Sequence, residues 1–330
     1  MEALFLRLWY HSEVRLWPLQ LLLYPLSLLF CLLVTVRRTA YRLGWLTQQK
    51  MAVPVIVVGN ITIGGTGKTP LVIYLAKQLQ QQGLKPAIIS RGYGRKDESQ
   101  LLAVKADSTP EEVGDEPLLL ASLSGAPVWV CSDRVAAVEA ARQQGADIIL
   151  SDDGLQHYRL GRELEIVVVD GVRQWGNRLC LPAGPLREPL NRLQQADLVV
   201  ENGTTMQLQP GLLYPLHDQN RQEDLAAWKG QRAHAVAGIG HPQRFFDLLS
   251  DAGISVIPHP MGDHHQYNES DFEAMEGAPI LMTEKDAVKC RHLSILEGLE
   301  VWVMPVEATL EPPLQQQLFE KIQEVTQRYG

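Results

Sequence analysis

An apolar run at residues 54–58 empties into Gly59-Asn60-Ile61, then into Thr62-Ile63-Gly64-Gly65-Thr66-Gly67-Lys68-Thr69, and at once into Pro70-Leu71 and a helix-length stretch. No other feature of the 330 residues constrains the fold so tightly. A strand that passes through a glycine loop into a helix sets up a βα unit with the loop at the strand's carboxyl end, where α/β sheets bind their ligands. Pro70 suits a first helical turn, because the N–H it lacks has no partner there. Gly64, Gly65 and Gly67 let backbone N–H groups converge on phosphate oxygens, Lys68 reaches the terminal phosphates, and Thr69 offers its hydroxyl to Mg²⁺. The eight residues from Thr62 to Thr69 are therefore expected to bind ATP with Mg²⁺ and to serve phosphoryl transfer. Thr62 departs from the general pattern G-x-x-x-x-G-K-[ST], which has a glycine there. The competing reading, a dinucleotide-binding turn, leaves Lys68-Thr69 without a purpose.

A carboxylate partner belongs at the end of a neighbouring strand, since Mg²⁺ is a hard cation that takes oxygen ligands. Asp147-Ile148-Ile149-Leu150-Ser151-Asp152-Asp153-Gly154 supplies it, with Gln156 and His157 close behind. Gly114-Asp115-Glu116-Pro117 precedes an apolar run, so its carboxylates sit at a helix N-terminus, where capping accounts for them equally well. A kinase also needs a group to accept the proton of the acceptor hydroxyl. Asp115 is the candidate base, and Glu116 joins Thr69, Asp152 and Asp153 on the metal side. Asp263-His264-His265 lacks a third ligand of zinc spacing, so these histidines are read as orienting or tuning a carboxylate. Arg91, Arg95, Arg134 and Arg187 are the candidate acceptor and phosphate contacts, on glycine- and proline-bounded loops of the kind α/β folds place at strand ends.

Short apolar runs at 53–58, 87–90, 128–130, 148–150, 166–169 and 198–200 alternate with helix-length segments such as 70–82 and 134–144. Runs without polar alternation read as parallel strands covered on both faces. The fold class is α/β, a P-loop NTPase-like domain with a mostly parallel sheet. A polar, irregular stretch at 210–229 precedes a second series of runs at 233–239, 254–257, 280–282 and 301–304. The expected division is an N-terminal segment 1–45, a kinase domain 46–225, and a smaller α/β domain 226–330 closing over the nucleotide.

Between Arg15 and Arg37 no residue is charged, and residues 16–36 give 21 positions, close to the roughly 20 a helix needs to cross a bilayer. This reads as a retained membrane segment, spanning or, given Pro18 and Pro25, kinked and interfacial. Arg37, Arg38 and Arg42 favour a cytoplasmic location for the chain beyond them. The net charge is −8, and residues 1–50 hold six Lys/Arg against two acids, leaving −12 for the remainder. That balance excludes a basic nucleic-acid-binding body. The four cysteines form no C-x-x-C pair, which suggests neither a disulfide framework nor zinc and fits a reducing cytoplasm.

Seven segments together resemble one family, the tetraacyldisaccharide 4′-kinases of the lipid A pathway: residues 59–70, 90–95, 114–117, 151–157, 184–189, 263–267 and 282–289. They span most of the chain after the apolar segment, and Thr62 matches the family's own version of the loop. The resemblance implies a kinase at the cytoplasmic face of a Gram-negative inner membrane. It would use Mg·ATP to phosphorylate the 4′-hydroxyl of a tetraacyl glucosamine disaccharide 1-phosphate, giving lipid IVA. Asp115 would accept the hydroxyl proton, paired with a histidine for which His264 is preferred to His265. Arg187 would stabilise the transferring phosphate, and Arg91, Arg95 and Arg134, with Gln156 and His157, would lie on the disaccharide side. The partner implied is the lipid in the membrane surface; a monomer is expected. A four-chain lipid leaves the bilayer at a cost of about 0.8 kcal/mol per buried CH₂, so the enzyme must come to it. Removal of the apolar segment is then expected to weaken lipid affinity and spare ATP binding. A tethered GTPase would need N-K-x-D, and Thr283-Glu284-Lys285-Asp286 is one residue short of it.

Overall fold

The computed structural model describes residues 2–10, 14–218, 220–262 and 265–329. Two helices open the chain, α1 (Glu2–Tyr10) and α2 (Trp17–Arg42). After them come the strands β1 (Val55–Gly59), β2 (Pro86–Ser90), β3 (Leu102–Ala103), β4 (Val128–Val130), β5 (Ile148–Asp152), β6 (Leu164–Asp170), β7 (Leu198–Asn202), β8 (Met206–Pro210), β9 (Tyr214–Pro215), β10 (Arg232–Ala237), β11 (Ser255–Pro260), β12 (Ile280–Thr283), β13 (Val301–Met304) and β14 (Val306–Leu310). Helices α3 (Lys68–Gln81), α4 (Pro110–Val113), α5 (Asp115–Ser124), α6 (Arg134–Gln143), α7 (Pro242–Asp251), α8 (Glu284–Cys290) and α9 (Pro312–Gln327) lie between and after them.

Nine strands form the first sheet in the order β14-β8-β7-β6-β1-β5-β2-β4-β3. Its centre, β7-β6-β1-β5-β2-β4, is parallel, and antiparallel pairs β3 with β4 and β14 with β8 lie toward the edges. Alternate side chains of β1 feed two separate cores, because successive residues of a strand face opposite sides. Ile56 and Val58 join Leu71, Leu75 and Leu79 of α3; Val55 and Val57 join Val135 and Val138 of α6. Both faces are thus covered by helix, which is why these strands carry no polar alternation. The phosphate loop leaves β1 at the middle of this sheet.

The second sheet has the order β11-β10-β12-β13-β9. Its limits differ from the expected division at residue 225. Strand β9 already pairs with β13, and after β13 the chain returns so that β14 pairs with β8. Helix α9 then buries Leu318 and Ile322 in the core of the first sheet. The second unit is therefore an insertion closed by its own sheet, and 226–330 is not one continuous domain. Local patterning specifies a strand but not which sheet edge it will join.

Helix α2 meets the body along one narrow face. Ser27 donates to the Cys180 carbonyl at 2.6 Å, Phe30 and Cys31 pack on the β1–α6 core, and Arg38 donates to Asn191 at 3.1 Å. Leu21, Leu22, Leu32 and Leu33 point outward, 59–73% exposed, so this is not a core helix of a soluble fold. Helix α1 returns to the same body: Trp9 donates to the Pro182 carbonyl at 3.0 Å, and the Asn177 N–H donates to the Trp9 carbonyl at 2.8 Å.

Where the chain passes between the two sheets, Glu284 is buried at the start of α8. It accepts from the Val306 N–H at 3.4 Å and the Tyr214 hydroxyl at 3.5 Å. Burial, only partly offset by Val306, Lys77 and Tyr214, pushes its carboxyl up to about 7. A carboxyl raised in the folded state favours folding while protonated, so stability falls as pH rises from the ordinary value toward 7 and stays low above it. Glu284→Gln is expected to raise the melting temperature at pH 8 and to change it much less at pH 5, the gain being at most on the order of 3 kcal/mol. Thermal unfolding at both pH values checks this; an equal gain at each would remove the buried charge as its cause.

Candidate active site

Strand β1 ends at Gly59, where an added Cβ would stand 2.7 Å from Leu155 Cβ; the loop after β5 crosses directly over the strand end. Asn60 is fully buried and its amide reaches the Gly64 carbonyl and Thr66 Oγ1, both at 3.4 Å. Gly64 and Gly67 take φ of +108° and +96°, a region that glycine enters without cost. At Gly67 a Cβ would also meet Asn202 Nδ2 at 2.9 Å, the same amide that donates to the Thr66 carbonyl at 3.3 Å.

The missing first glycine has a physical reason. Thr62 forms an antiparallel bridge with Leu186, the Ile63 N–H donates to the Pro185 carbonyl at 2.9 Å, and the Arg187 N–H to the Ile61 carbonyl at 2.7 Å. Residues 185–187 are thus zipped along the phosphate loop, and Thr62 occupies extended, strand-like backbone, where a β-branched residue fits better than glycine. That pairing delivers Arg187 to the site. Its Nη1 lies 2.9 Å from Asp153 Oδ2, and Lys68 Nζ lies 3.6 Å from Asp153 Oδ1.

Two adjacent carboxyls are pushed apart in acidity. Burial alone would raise Asp153, but Lys68 and Arg187 outweigh it and hold the group down at about 2. Asp153 is also at φ +46°, a left-handed conformation that aspartate tolerates better than most residues. Burial and then Glu116 push Asp152 up to about 7, and its Oδ1 is buried with no hydrogen-bond partner among the described residues. Such divergence between neighbouring titratable groups marks functional sites. An orphaned carboxylate oxygen suits a hard cation, and a Mg²⁺ site needs few protein ligands because the ion keeps waters and phosphate oxygens. Among the described residues no set of three or more His, Cys, Asp or Glu groups surrounds one point.

Asp115 opens α5 immediately after Gly114, whose φ is +92° and whose added Cβ would touch Gly92 Cα and the Tyr93 carbonyl at 3.3 Å. The 90–95 loop and the α5 N-terminus are therefore clamped together. Glu116 stands 3.9 Å from Lys285 of α8, so the second unit's helix meets α5 beside the phosphate loop. Asp263 and His264 lie outside the described residues. His265 is described, with Nε2 3.1 Å from Asp271 Oδ2 and its ring edge-on to Tyr267.

The remaining candidates separate by burial. Arg91 is exposed and paired with Glu98 at 2.6 Å. Arg95 is a correction to the sequence reading: it is buried, and its guanidinium donates to the carbonyls of Glu98, Gln100 and Val130, so it holds the loop that carries Arg91. Gln156 is half-buried, its amide donating to the Asn60 carbonyl at 3.0 Å and to Glu188 at 2.9 Å. Arg134 is buried beneath the strand end, donating to the Asp152 carbonyl at 3.0 Å while Nη1 has no partner among the described residues. His157 is held neutral, down at about 4, by burial and then by Arg134 and Arg162.

Sequence reasoning missed the layer beneath. Glu188 is fully buried and accepts from Gln156 and the Tyr158 hydroxyl. Arg192 lies 3.4 Å from Glu188 and 2.5 Å from Glu165, which also pairs with Arg162 at 3.1 Å. Nothing in the spacing of these residues announces a network, since its members come from the loop after β5, from β6 and from the segment 188–192.

The chain matches the family described as tetraacyldisaccharide-1-phosphate 4′-kinase over residues 19–323. It belongs to that family. It is 50% identical over 301 residues to a tetraacyldisaccharide 4′-kinase of Alkalilimnicola ehrlichii, covering 89% of this chain and 90% of the other. A tetraacyldisaccharide 4′-kinase of Halorhodospira halophila is 51% identical over 296 residues, 87% and 88% of the two chains. The LpxK of Aquifex aeolicus, crystallised as an "apo" form in complex with ATP, superposes with a TM-score of 0.81 at 30% identity, covering 93% of this chain and 99% of that one. As expected for a kinase of this family and not for a GTPase, Asp286 cannot read guanine. It is fully buried, accepting from the Gly238 N–H at 2.9 Å and Thr283 Oγ1 at 2.6 Å, and paired with Lys289 at 3.2 Å.

Removing Glu188 leaves Arg192 buried with only Glu165 and frees Gln156 from one anchor. Glu188→Ala is expected to cost about 3–5 kcal/mol, the usual loss when one member of a buried ion pair is deleted. Urea unfolding measures it; a loss below about 1 kcal/mol would place this network among exposed-type pairs of little worth.

Proposed function

We propose that this kinase transfers the γ-phosphoryl group of ATP to the 4′-hydroxyl of a tetraacyl glucosamine disaccharide 1-phosphate, yielding lipid IVA, at the cytoplasmic face of the inner membrane. The observation that carries the reading is the Lys68–Asp153–Arg187 cluster at the mouth of the phosphate loop. Phosphoryl transfer needs little covalent help, so positioning and charge do most of the work. Two cations converge where the terminal phosphate would lie, and Asp153 keeps them oriented before ATP arrives. The backbone N–H groups of residues 64–68 hold the inner phosphates. Thr69, Asp152 and Glu116 would hold Mg²⁺, with Asp153 beside them. The ion supplies charge that offsets the phosphate oxygens.

On the acceptor side, Asp115 takes the 4′-hydroxyl proton as that oxygen bonds to phosphorus and the bond from phosphorus to the ADP oxygen breaks. His264 is proposed to tune it. Arg91 and the buried Nη1 of Arg134, unpartnered among the described residues, are proposed on the sugar phosphate, with His157, neutral, as a hydrogen-bonding partner. Arg95 and Gln156 act one layer back, holding these loops.

The outward leucines of α2 enter the bilayer from one side. Ser27, Phe30, Cys31 and Arg38 bind the body along the helix, while α1 docks beside Cys180 on the same surface. A helix crossing to the other leaflet could not keep both flanks on one body, so the segment lies in one leaflet and seats the active site at the lipid surface.

Detergent-dispersed disaccharide 1-phosphate with labelled ATP tests the reaction. Wild type is expected to label the lipid, Lys68→Ala to lose about 10²-fold or more in kcat, and Asp115→Ala about 10²- to 10⁴-fold; an unlabelled lipid sinks the reading. The Cys31 thiol hydrogen-bonds with Cys180, which offers a test of seating. A mild thiol oxidant applied to native membranes is expected to cross-link Cys31 to Cys180, read as a mobility shift lost in Cys31→Ser. Absence of that shift would mean α2 leaves the body in the membrane.

A further inference from the structure

Sequence alone assigns the apolar N-terminal segment to the lipid, yet its first helix touches the phosphate loop. The Tyr10 hydroxyl lies 3.4 Å from the Ile63 carbonyl oxygen, as donor to acceptor. The Ile63 N–H is already tied to the Pro185 carbonyl at 2.9 Å. The Ile63 residue is therefore held from both sides, and the next peptide planes, those of Gly64 and Gly65, inherit its orientation. These glycines would supply N–H donors to phosphate, and their backbone freedom leaves their aim to the contacts around them, of which Asn60 on the Gly64 carbonyl is another.

Arg173 joins the same point. Its guanidinium lies 5.4 Å from the centre of the Tyr10 ring, a distance at which cation and ring attract. Its Nη1 would stand 3.8 Å from a Cβ placed on Gly64, and its Nη2 donates to the Gly240 carbonyl of the second unit at 3.3 Å. Its own backbone N–H is anchored on Asp170 at the end of β6. Asp170 pairs with Arg244 at 3.0 Å, and among the described residues no carboxylate pairs with Arg173. A planar cation is thus parked beside the phosphate loop by three elements: α1, β6 and the turn before α7.

We infer that Tyr10 and Arg173 form a brace through which the docked N-terminal helices set the geometry of the phosphate loop, so that ATP is bound well only when those helices are seated on the body. Both are positioning residues, acting through the Ile63 and Gly64 backbone, and the inference rests on the loop being the ATP site. It changes what loss of the segment does: ATP affinity declines along with lipid affinity.

The test uses the full-length protein in vesicles containing phosphatidylglycerol and the disaccharide 1-phosphate, with ATP varied. Tyr10→Leu and Arg173→Met are each expected to raise the KM for ATP about 3- to 10-fold, the scale of one hydrogen bond or one cation contact. The KM for lipid, kcat and co-flotation with the vesicles should stay within about twofold. Tyr10→Phe keeps the ring under Arg173 and Arg173→Lys keeps the charge; each is expected to recover part of the loss. Binding of a fluorescent ATP analogue, measured without turnover, should weaken in parallel. Wild-type KM for ATP in both Tyr10→Leu and Arg173→Met overturns the brace, and so does a rise that appears only with lost flotation. Lys68→Ala in the same assay reports on the ATP reading itself: failure of that reading shows as unchanged ATP dependence there, whereas failure of the brace leaves the Lys68→Ala defect intact.

Discussion

Antiparallel pairing between residues 61–63 and 185–187 is the constraint on which the site depends. Two backbone hydrogen bonds, Ile63 to Pro185 and Arg187 to Ile61, convert one side of a glycine loop into a short piece of sheet. A loop carrying Gly64, Gly65 and Gly67 has many conformations to lose on ordering. Pairing it to a proline-bounded partner restricts it before any phosphate binds. The same register sets Arg187 against Asp153 and sends Glu188 inward, where it holds Gln156 and so the Asn60 carbonyl. One strand pairing thus links catalytic charge, loop shape and the buried network.

Around that pairing, charge is distributed by burial. Asp153 has two cations within ion-pair distance that hold its carboxyl down, whereas Asp152, one residue away and behind the strand end, is pushed up by burial and then by the charge of Glu116. Two neighbouring residues of one type acquire opposite tendencies because the left-handed backbone at Asp153 turns its side chain out toward Lys68 while Asp152 remains in the strand.

The second unit matters through where its ends lie. Because β14 and α9 rejoin the first sheet, the unit is tethered at both its entry and its exit, so that the turn before α7 meets Arg173 next to Gly64 and α8 meets α5. Arg173 on Gly240 and Lys285 by Glu116 are the resulting contacts. A unit attached at one end only could not be held to so fixed an approach.

The range of each interaction decides how much of it is legible in the chain. Strands β3, β8, β9 and β14 are not read from the sequence itself, whereas the parallel strands of both sheets other than β8, the α3 start at Lys68, the apolar run of α2 and the candidates Lys68, Thr69, Asp152 and Asp153 are. They depend on periodicity, on glycine and proline chemistry and on residues within one turn of each other, and the family resemblance rests on those same short segments. The division at residue 225, the burial of Arg95, the structural duty of Gln156, the Glu188–Arg192–Glu165 network and the contact of Tyr10 with the phosphate loop were decided only by the tertiary structure. Most of these join residues far apart in the chain, and the contacts of Arg95 with Glu98 and Gln100, though local, depend on a loop conformation that spacing does not give; all use backbone atoms or buried charges that any sequence of similar composition also possesses. Even the missing first glycine at Thr62 belongs here: in sequence it is a departure from a pattern, and its partner Leu186, 124 positions on, makes it a strand.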